Sequence, residues 1–260
     1  MVEEIALDRE TDVAMLDAML RTTRLDGVIL SPPVTDHEPV LEKLKAQRIP
    51  FIRIAPLTNK HRSPQISADD SAGARAIARH LWGLGHRRIG FIAGPVGHSA
   101  SHLRQQGFID ELMACGLDRK AVSLAEGDFS FASGMAAGIL LLGKKPRVTA
   151  IFAANDDMAA GVIAAAARLG VRVPEDLSVA GFDDSPVATL VWPPITTVRQ
   201  PIVEMAAAAA ELLIGEGTAP AKPFGVELIE RRSTGVSPEI VREPRDSARP
   251  ARARKKAVQP

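Results

Sequence analysis

Short apolar runs alternate with helix-period segments along nearly the whole chain. Val2–Leu7, Gly27–Leu30, Phe51–Ile54, Ile89–Ala93, Val122–Glu126, Ala150–Ala153, Leu177–Gly181 and Gly225–Glu230 are each four to six residues long and read as strands. Between them Asp12–Thr22, Pro39–Gln47, Ser71–Leu84, Ser101–Cys115, Phe131–Leu142, Asp156–Leu169 and Pro201–Ile214 read as helices. Asp12–Thr22 shows the pattern: Val13, Leu16 and Leu20 fall on one face. Gly85, just past Ser71–Leu84, is a helix stop signal. Strands that alternate with helices predict βαβ units and parallel sheets, so the fold class is α/β. No internal repeat stands out.

Composition changes this picture little. The 260 residues are 46% hydrophobic and 24% charged, ordinary for a globular protein with a sizeable core. No apolar run approaches the ~20 residues that span a bilayer. The opening Met-Val-Glu-Glu-Ile-Ala-Leu-Asp lacks the basic start of a signal peptide. With one cysteine, Cys115, no intrachain disulfide can form, which fits a reducing, cytoplasmic setting. Its apolar neighbours suggest a buried small hydrophobe and not a nucleophile. Charge is uneven: residues 242–260 hold seven basic side chains against two acidic ones, within a net charge of +1. The body is therefore mildly acidic, without a nucleic-acid footprint. Residues 238–260 read as a disordered basic tail.

Candidate chemistry concentrates where strands end. Asn155 and Asp183 each follow a strand, at the carboxyl ends where open α/β sheets hold ligands. A carboxylate accepts from hydroxyls and a carboxamide both donates and accepts. Arg104, near the Gly107-Phe108 pair, offers a planar fork. The plainer alternative for Asn155 and Asp183 is a helix cap or a turn. Asp69 and Asp70 read as a cap and a helix-dipole partner. Enzyme readings find little. His98 and His102 share a helical face without a third ligand, and Gly83-Leu84-Gly85 ends a helix where a dinucleotide loop would open one. There is no Gly-x-Ser-x-Gly elbow. The pairs Asp156/Asp157 and Asp183/Asp184 are adjacent, so their side chains should diverge instead of sharing a cation. No enzyme activity, metal or cofactor is expected.

Four separated motifs carry a resemblance. They are Arg87-Arg88-Ile89-Gly90-Phe91-Ile92-Ala93-Gly94-Pro95, Ile151-Phe152-Ala153-Ala154-Asn155-Asp156-Asp157-Met158-Ala159, Gly181-Phe182-Asp183-Asp184, and Pro193-Pro194-Ile195-Thr196-Thr197-Val198-Arg199-Gln200-Pro201. In that order they resemble the effector-binding half of a LacI-type bacterial transcription regulator. The resemblance implies two doubly wound parallel-sheet lobes of the periplasmic-binding-protein-like type. One lobe would take residues 1–66 and 197–216, the other 67–196 and 217–237. The family's effector-contacting arginine, asparagine and aspartate match Arg104, Asn155 and Asp183. Phe129 matches an aromatic over the effector, with core packing as its alternative. Arg53 stands where the family often has an acidic contact; it suits an acidic ligand or pairs with a protein carboxylate. Gln200, just past a crossover between lobes, reaches toward the cleft, while Trp192 has a structural role or lines the cleft entrance.

The resemblance further implies a sugar or sugar-acid effector, a homodimer, and control of operator DNA through a helix-turn-helix headpiece. That headpiece and the first strand and helix of the N-terminal lobe would precede Met1, so the chain as written is not expected to bind an operator, and its first lobe is expected to be incomplete. The alternatives are a sugar-binding protein for transport or chemotaxis, or a subunit acting through mixed dimers.

Overall fold

Four parallel strands form the larger sheet of this computed structural model, which describes residues 25–242 together with Ala18. They are β4 (Ile89–Ala93), β5 (Val122–Glu126), β6 (Ala150–Ala153) and β7 (Ser178–Ala180), in the order β5-β4-β6-β7. Their near-continuous apolar content follows from burial on both faces. Ile89, Phe91 and Ile92 of β4 and all four residues of β6 are buried. Helices α2 (Asp70–Gly83), α3 (Ser99–Ala114), α4 (Phe131–Leu142) and α5 (Asp156–Arg168) cover the sheet. Ile77, Leu81, Phe108, Leu112, Leu141, Met158 and Val162 supply their core faces. The chain leaves β4 toward β5 and returns across β4 to β6. The gap between the carboxyl ends of β4 and β6 is therefore the topological switch point, where open α/β sheets place their crevice.

A second parallel sheet, β1-β2-β3, joins Val28–Leu30, Phe51–Ile54 and Gln65–Ile66. Alternation along β2 serves two layers. Phe51 packs with Leu30 of β1 and with Leu41 of helix α1 (Glu38–Ala46), and Ile52 packs with Met205 and Ala209 of helix α7 (Ile202–Ile214). Helix α7 is remote in sequence, so a crossing connection must bring it there. Strand β8 (Thr197–Arg199) runs beside the end of β7, bridged at Ala180–Thr196 and Asp183–Arg199, and pairs antiparallel with β9 (Glu227–Ile229) after α7. Between β7 and β8 lies the one-turn helix α6 (Val187–Leu190).

Several expectations are met to the residue: β2, β4, β5, β6 and α4. Others are corrected. β3 and β8 were not anticipated, and the strand expected at Leu177–Gly181 shortens to β7. Pro238–Arg242 forms a short helix, α8, and does not belong to a disordered tail. Glu239 there pairs with Arg88, and the Ser237 N–H donates to the Leu84 carbonyl at 2.8 Å. Cys115 is half-buried at the end of α3. The strand at Val2–Leu7, the helix at Asp12–Thr22 (Ala18 apart) and the tail beyond residue 242 lie outside the described residues.

Candidate functional site

The backbone itself marks the strand ends at the crevice. Ala55 after β2, Phe129 after β5, and Asp183 and Asp184 after β7 all have positive φ, at 45°, 71°, 108° and 53°. Non-glycine residues held there cost about 1–3 kcal/mol each and persist where the surroundings fix them. Asp183 is fixed by the bond from its N–H to the Val198 carbonyl at 2.9 Å. That bond ties the turn to the crossing strand β8.

Arg104 lies in the interior of α3 and reaches the switch point. Its Nε donates to Asp70 Oδ1 at 2.7 Å and its Nη1 to the Ala154 carbonyl at 2.6 Å. Nη2 pairs with Asp183 Oδ1 at 3.0 Å, and the guanidinium lies 3.8 Å from the Phe182 ring centroid. A cation so enclosed is stable only with such partners. Against desolvation, the Asp183 and Asp70 carboxylates hold it protonated. Gln200 Nε2 donates to the same Asp183 Oδ1 at 2.7 Å. Exposure differs sharply within this cluster: the side chains of Arg104 and Asp70 are 5% and 3% exposed, and that of Asp183 is 34%. Solvent therefore meets Asp183 first.

Asn155 caps α5, its Oδ1 accepting from Met158 N–H at 3.0 Å, while its Nδ2 donates to the Phe129 carbonyl at 2.9 Å. The capping role is thus observed, and it also holds the Phe129 turn. Phe129 is half-buried, stacked edge-on to His98 at 5.3 Å between centroids. A side chain at Gly94 would collide with its ring, so the end of β4 must be glycine for Phe129 to lie there.

The structure therefore links Gln200 and Asp183 to Arg104, and Arg104 through the Ala154 carbonyl to the strand end where the next residue, Asn155, holds Phe129. Arg53 stands apart from these contacts, and the expectation that it meets a ligand is corrected. Its side chain is fully buried, with Nε on Ser63 Oγ at 3.2 Å and Nη1 on Asp36 Oδ1 at 3.3 Å. The Thr35, Thr58 and Asn59 carbonyls take its remaining contacts. It fastens the loop after β2 to the segment at Asp36, the protein-carboxylate alternative. Trp192 is 73% exposed, and Arg232 lies over its ring at 5.7 Å.

Three residues escaped the sequence reading. Asp69 caps α2 as expected, accepting from Ala72 N–H at 2.9 Å, but Asp70 turns inward to Arg104. The doubled aspartate, where one suffices as a cap, was the available signal. Asp156 is buried beneath the Asp183 turn, accepting from Thr197 Oγ1 at 2.6 Å and Ser185 N–H at 2.8 Å. Desolvation pushes its carboxyl up to about 7. Asp157 is exposed, and Asp184 points away from Asp183 to Arg199 and Arg231, so both adjacent pairs diverge. His86 is fully buried, with Thr149 Oγ1 and Ser178 Oγ each 2.9 Å from a ring nitrogen. Among the described residues no group of three or more His, Cys, Asp or Glu is placed to hold a metal ion, and no helix is long and apolar enough to cross a membrane.

Comparison with known proteins agrees with this arrangement. A family profile described as "Periplasmic binding protein-like domain" matches residues 78–234, more than half of the chain. The HTH-type transcriptional regulator MalR of Streptomyces coelicolor is 37% identical over 206 residues, 76% of this chain and 59% of that protein. The chain thus spans about three-fifths of the length of such a relative. The HTH-type transcriptional repressor CytR of Escherichia coli is 31% identical over 248 residues, 92% of this chain and 71% of its own length. Among solved structures, a CelR–cellobiose complex superposes with a TM-score of 0.75 at 35% identity, covering 85% of this chain and 70% of that one. A LacI family regulator from Enterococcus faecium with bound ribose gives a TM-score of 0.78 at 28% identity, covering 88% and 85%. These relatives are regulators and not enzymes. The chain belongs to the LacI family of transcriptional regulators and carries its effector-binding domain, with the periplasmic-binding-protein-like α/β fold.

Proposed function

We propose that this chain senses a hydroxyl-bearing, sugar-like molecule at the switch point of its larger sheet, and that the bound molecule controls the DNA binding of an intact cytoplasmic regulator, acting as a homodimer. The reading rests on one observation above all. Asp183, a third exposed at a strained strand end, is backed by Arg104 and Gln200 and tied to crossing strand β8. A carboxylate presented this way accepts from a hydroxyl, and the guanidinium behind it donates to the same or a neighbouring oxygen. Phe129 offers an apolar ring face and Asn155 keeps that ring in place. The division into one lobe of residues 1–66 with 197–216 and another of 67–196 with 217–237 is part of this proposal. It is supported by the packing of α7 on the first sheet.

Arg104 and Asp183 belong to the larger sheet's side, whereas Gln200 and β8 lead toward α7 and the first sheet. A ligand that competes for Asp183 would bind unequally to different orientations of the two sides. Differential affinity is what shifts such a population. The relatives with bound cellobiose and ribose support the ligand class.

The test is a thermal-shift screen of neutral mono- and disaccharides that includes ribose and cellobiose. Calorimetry then compares the best hit on the wild type and on Asp183→Ala. A hit that loses tenfold or more of its affinity in Asp183→Ala supports the reading. Binding indifferent to Asp183 refutes the site, and a panel with no hit refutes the ligand class.

A further inference from the structure

We propose that Asp70 sets the charge preference of this site, so that it takes uncharged polyols and refuses their acids. The inference deepens the effector reading above and rests on it.

Arg104 is the one cation in the linked group, since Arg199 and Arg231 are both committed to Asp184 and Arg53 is buried in its own loop. Two carboxylates share it. Asp70 lies at 2.7 Å and is almost wholly enclosed, while Asp183 lies at 3.0 Å and is the exposed member. With both carboxylates ionised the cluster carries one net negative charge; with Asp70 replaced by a neutral residue it would be neutral. Asp70 opens α2, where the helix N–H groups favour a carboxylate. Enclosure keeps the Asp70–Arg104 pair from being screened by solvent, so the Asp70 carboxylate offsets the Arg104 charge at close range.

Donor counting gives the same answer. A guanidinium has five N–H groups, and Asp70, Ala154 and Asp183 take three of them. Two remain for a ligand beside the Asp183 carboxylate. A hydroxyl uses both partners, accepting from Arg104 while donating to Asp183. A ligand carboxylate accepts from Arg104 but has no proton for Asp183, and it brings a like charge within a few ångströms of it. Like charges at that range in a partly buried site cost enough to weaken binding by about tenfold or more.

The experiment titrates the full chain, by calorimetry at pH 7.5, with matched pairs of a neutral sugar and its acid: ribose and ribonate, cellobiose and cellobionate, glucose and glucuronate. The wild type is expected to bind the neutral member of any pair it recognises at least tenfold more tightly. In Asp70→Asn the acid should gain relative to the neutral sugar, closing that gap by about tenfold. A loss of fold stability alone would weaken both members together and leave the ratio unchanged, which contradicts the proposal. Equal or tighter wild-type binding of the acid also overturns it, and decides the matter even where Asp70→Asn does not fold. Asp70→Glu, which keeps the charge, should keep the preference. Binding of neither member of any pair would remove the effector reading itself, and this inference with it.

Discussion

Replacing Asp156 by Asn should make the protein more stable at alkaline pH and lose that advantage in acid. Asp156 is 1% exposed at the start of α5, between the Thr197 hydroxyl and the Ser185 N–H. Desolvation pushes its carboxyl from 3.8 to about 7; the two hydrogen bonds pull it back and the charges of Asp183 and Asp184 add to the rise. A folded-state value above the unfolded one means that protonation favours the folded chain. The contribution is complete below pH 3.8 and is lost as pH rises through about 7. At about 1.4 kcal/mol per pH unit, that interval amounts to about 4 kcal/mol as a ceiling.

Asparagine keeps the shape and removes the charge. Its carbonyl can accept from Ser185 N–H, and its amide can donate to the Thr197 hydroxyl once that turns to accept. The rearranged bonds reduce the gain to about 2–4 kcal/mol at pH 8.5. For a chain of this size this raises Tm by about 5–15 °C. Differential scanning calorimetry of both proteins from pH 5 to 9 measures it. The reasoning fails if Asp156→Asn melts below the wild type at pH 8.5, or if the difference is the same at pH 5.

Further consequences follow from other buried groups. His86 is held neutral, its imidazole pushed down to about 4 by burial, so stability should fall by about 3 kcal/mol as pH drops from 6.5 to 4. Acid unfolding of His86→Leu, less stable at pH 7 for want of partners to Thr149 and Ser178, should show a shallower decline across that window. Arg53→Met leaves Asp36 only its bonds from Leu57 and Thr58 and frees the Thr58 and Asn59 carbonyls of the loop after β2; it should cost about 2 kcal/mol in urea denaturation while leaving sugar affinity within twofold. Gly94→Ala drives a methyl into the Phe129 ring. It should cost about 1–3 kcal/mol in chemical denaturation and weaken the sugar found by screening, as Phe129 is displaced from its place over the crevice.

The parts of the fold legible in the sequence are those whose stability is local or uniformly apolar. Strands β4, β5 and β6 and helix α4 are bounded by turn residues and buried on matching faces, so hydrophobic pattern alone delimits them. Strands β3 and β8 are two and three residues long and depend on distant partners. β3 pairs with β2, and β8 is held by β9 together with the Thr197–Asp156 and Arg199–Asp184 contacts. Runs this short carry no periodicity of their own, and β9 and Asp156 lie about 30 and 41 residues from β8. The site divides in the same way. Asn155 and Asp183 fall at strand ends and were found by position, whereas Phe129 was found only through the family resemblance. Asp70 was assigned to its own helix because its true partner, Arg104, lies 34 residues away. Arg53 was misplaced for the converse reason: five polar contacts, three from the loop after β2 and two from Thr35 and Asp36, enclose it and are invisible in the pattern.

A crystal structure with the sugar identified by screening tests the central claim most directly. The account predicts that sugar at the ends of β4 and β6, with a hydroxyl within hydrogen-bonding distance of Asp183 and of Arg104, and the Phe129 ring against its carbon face. A sugar seated elsewhere contradicts it. The groove beside β5 lined by Val96, His102, Gln105 and Glu126 is one such place. Density there, with the Asp183–Arg104–Gln200 cluster untouched, would assign that cluster to the scaffold alone.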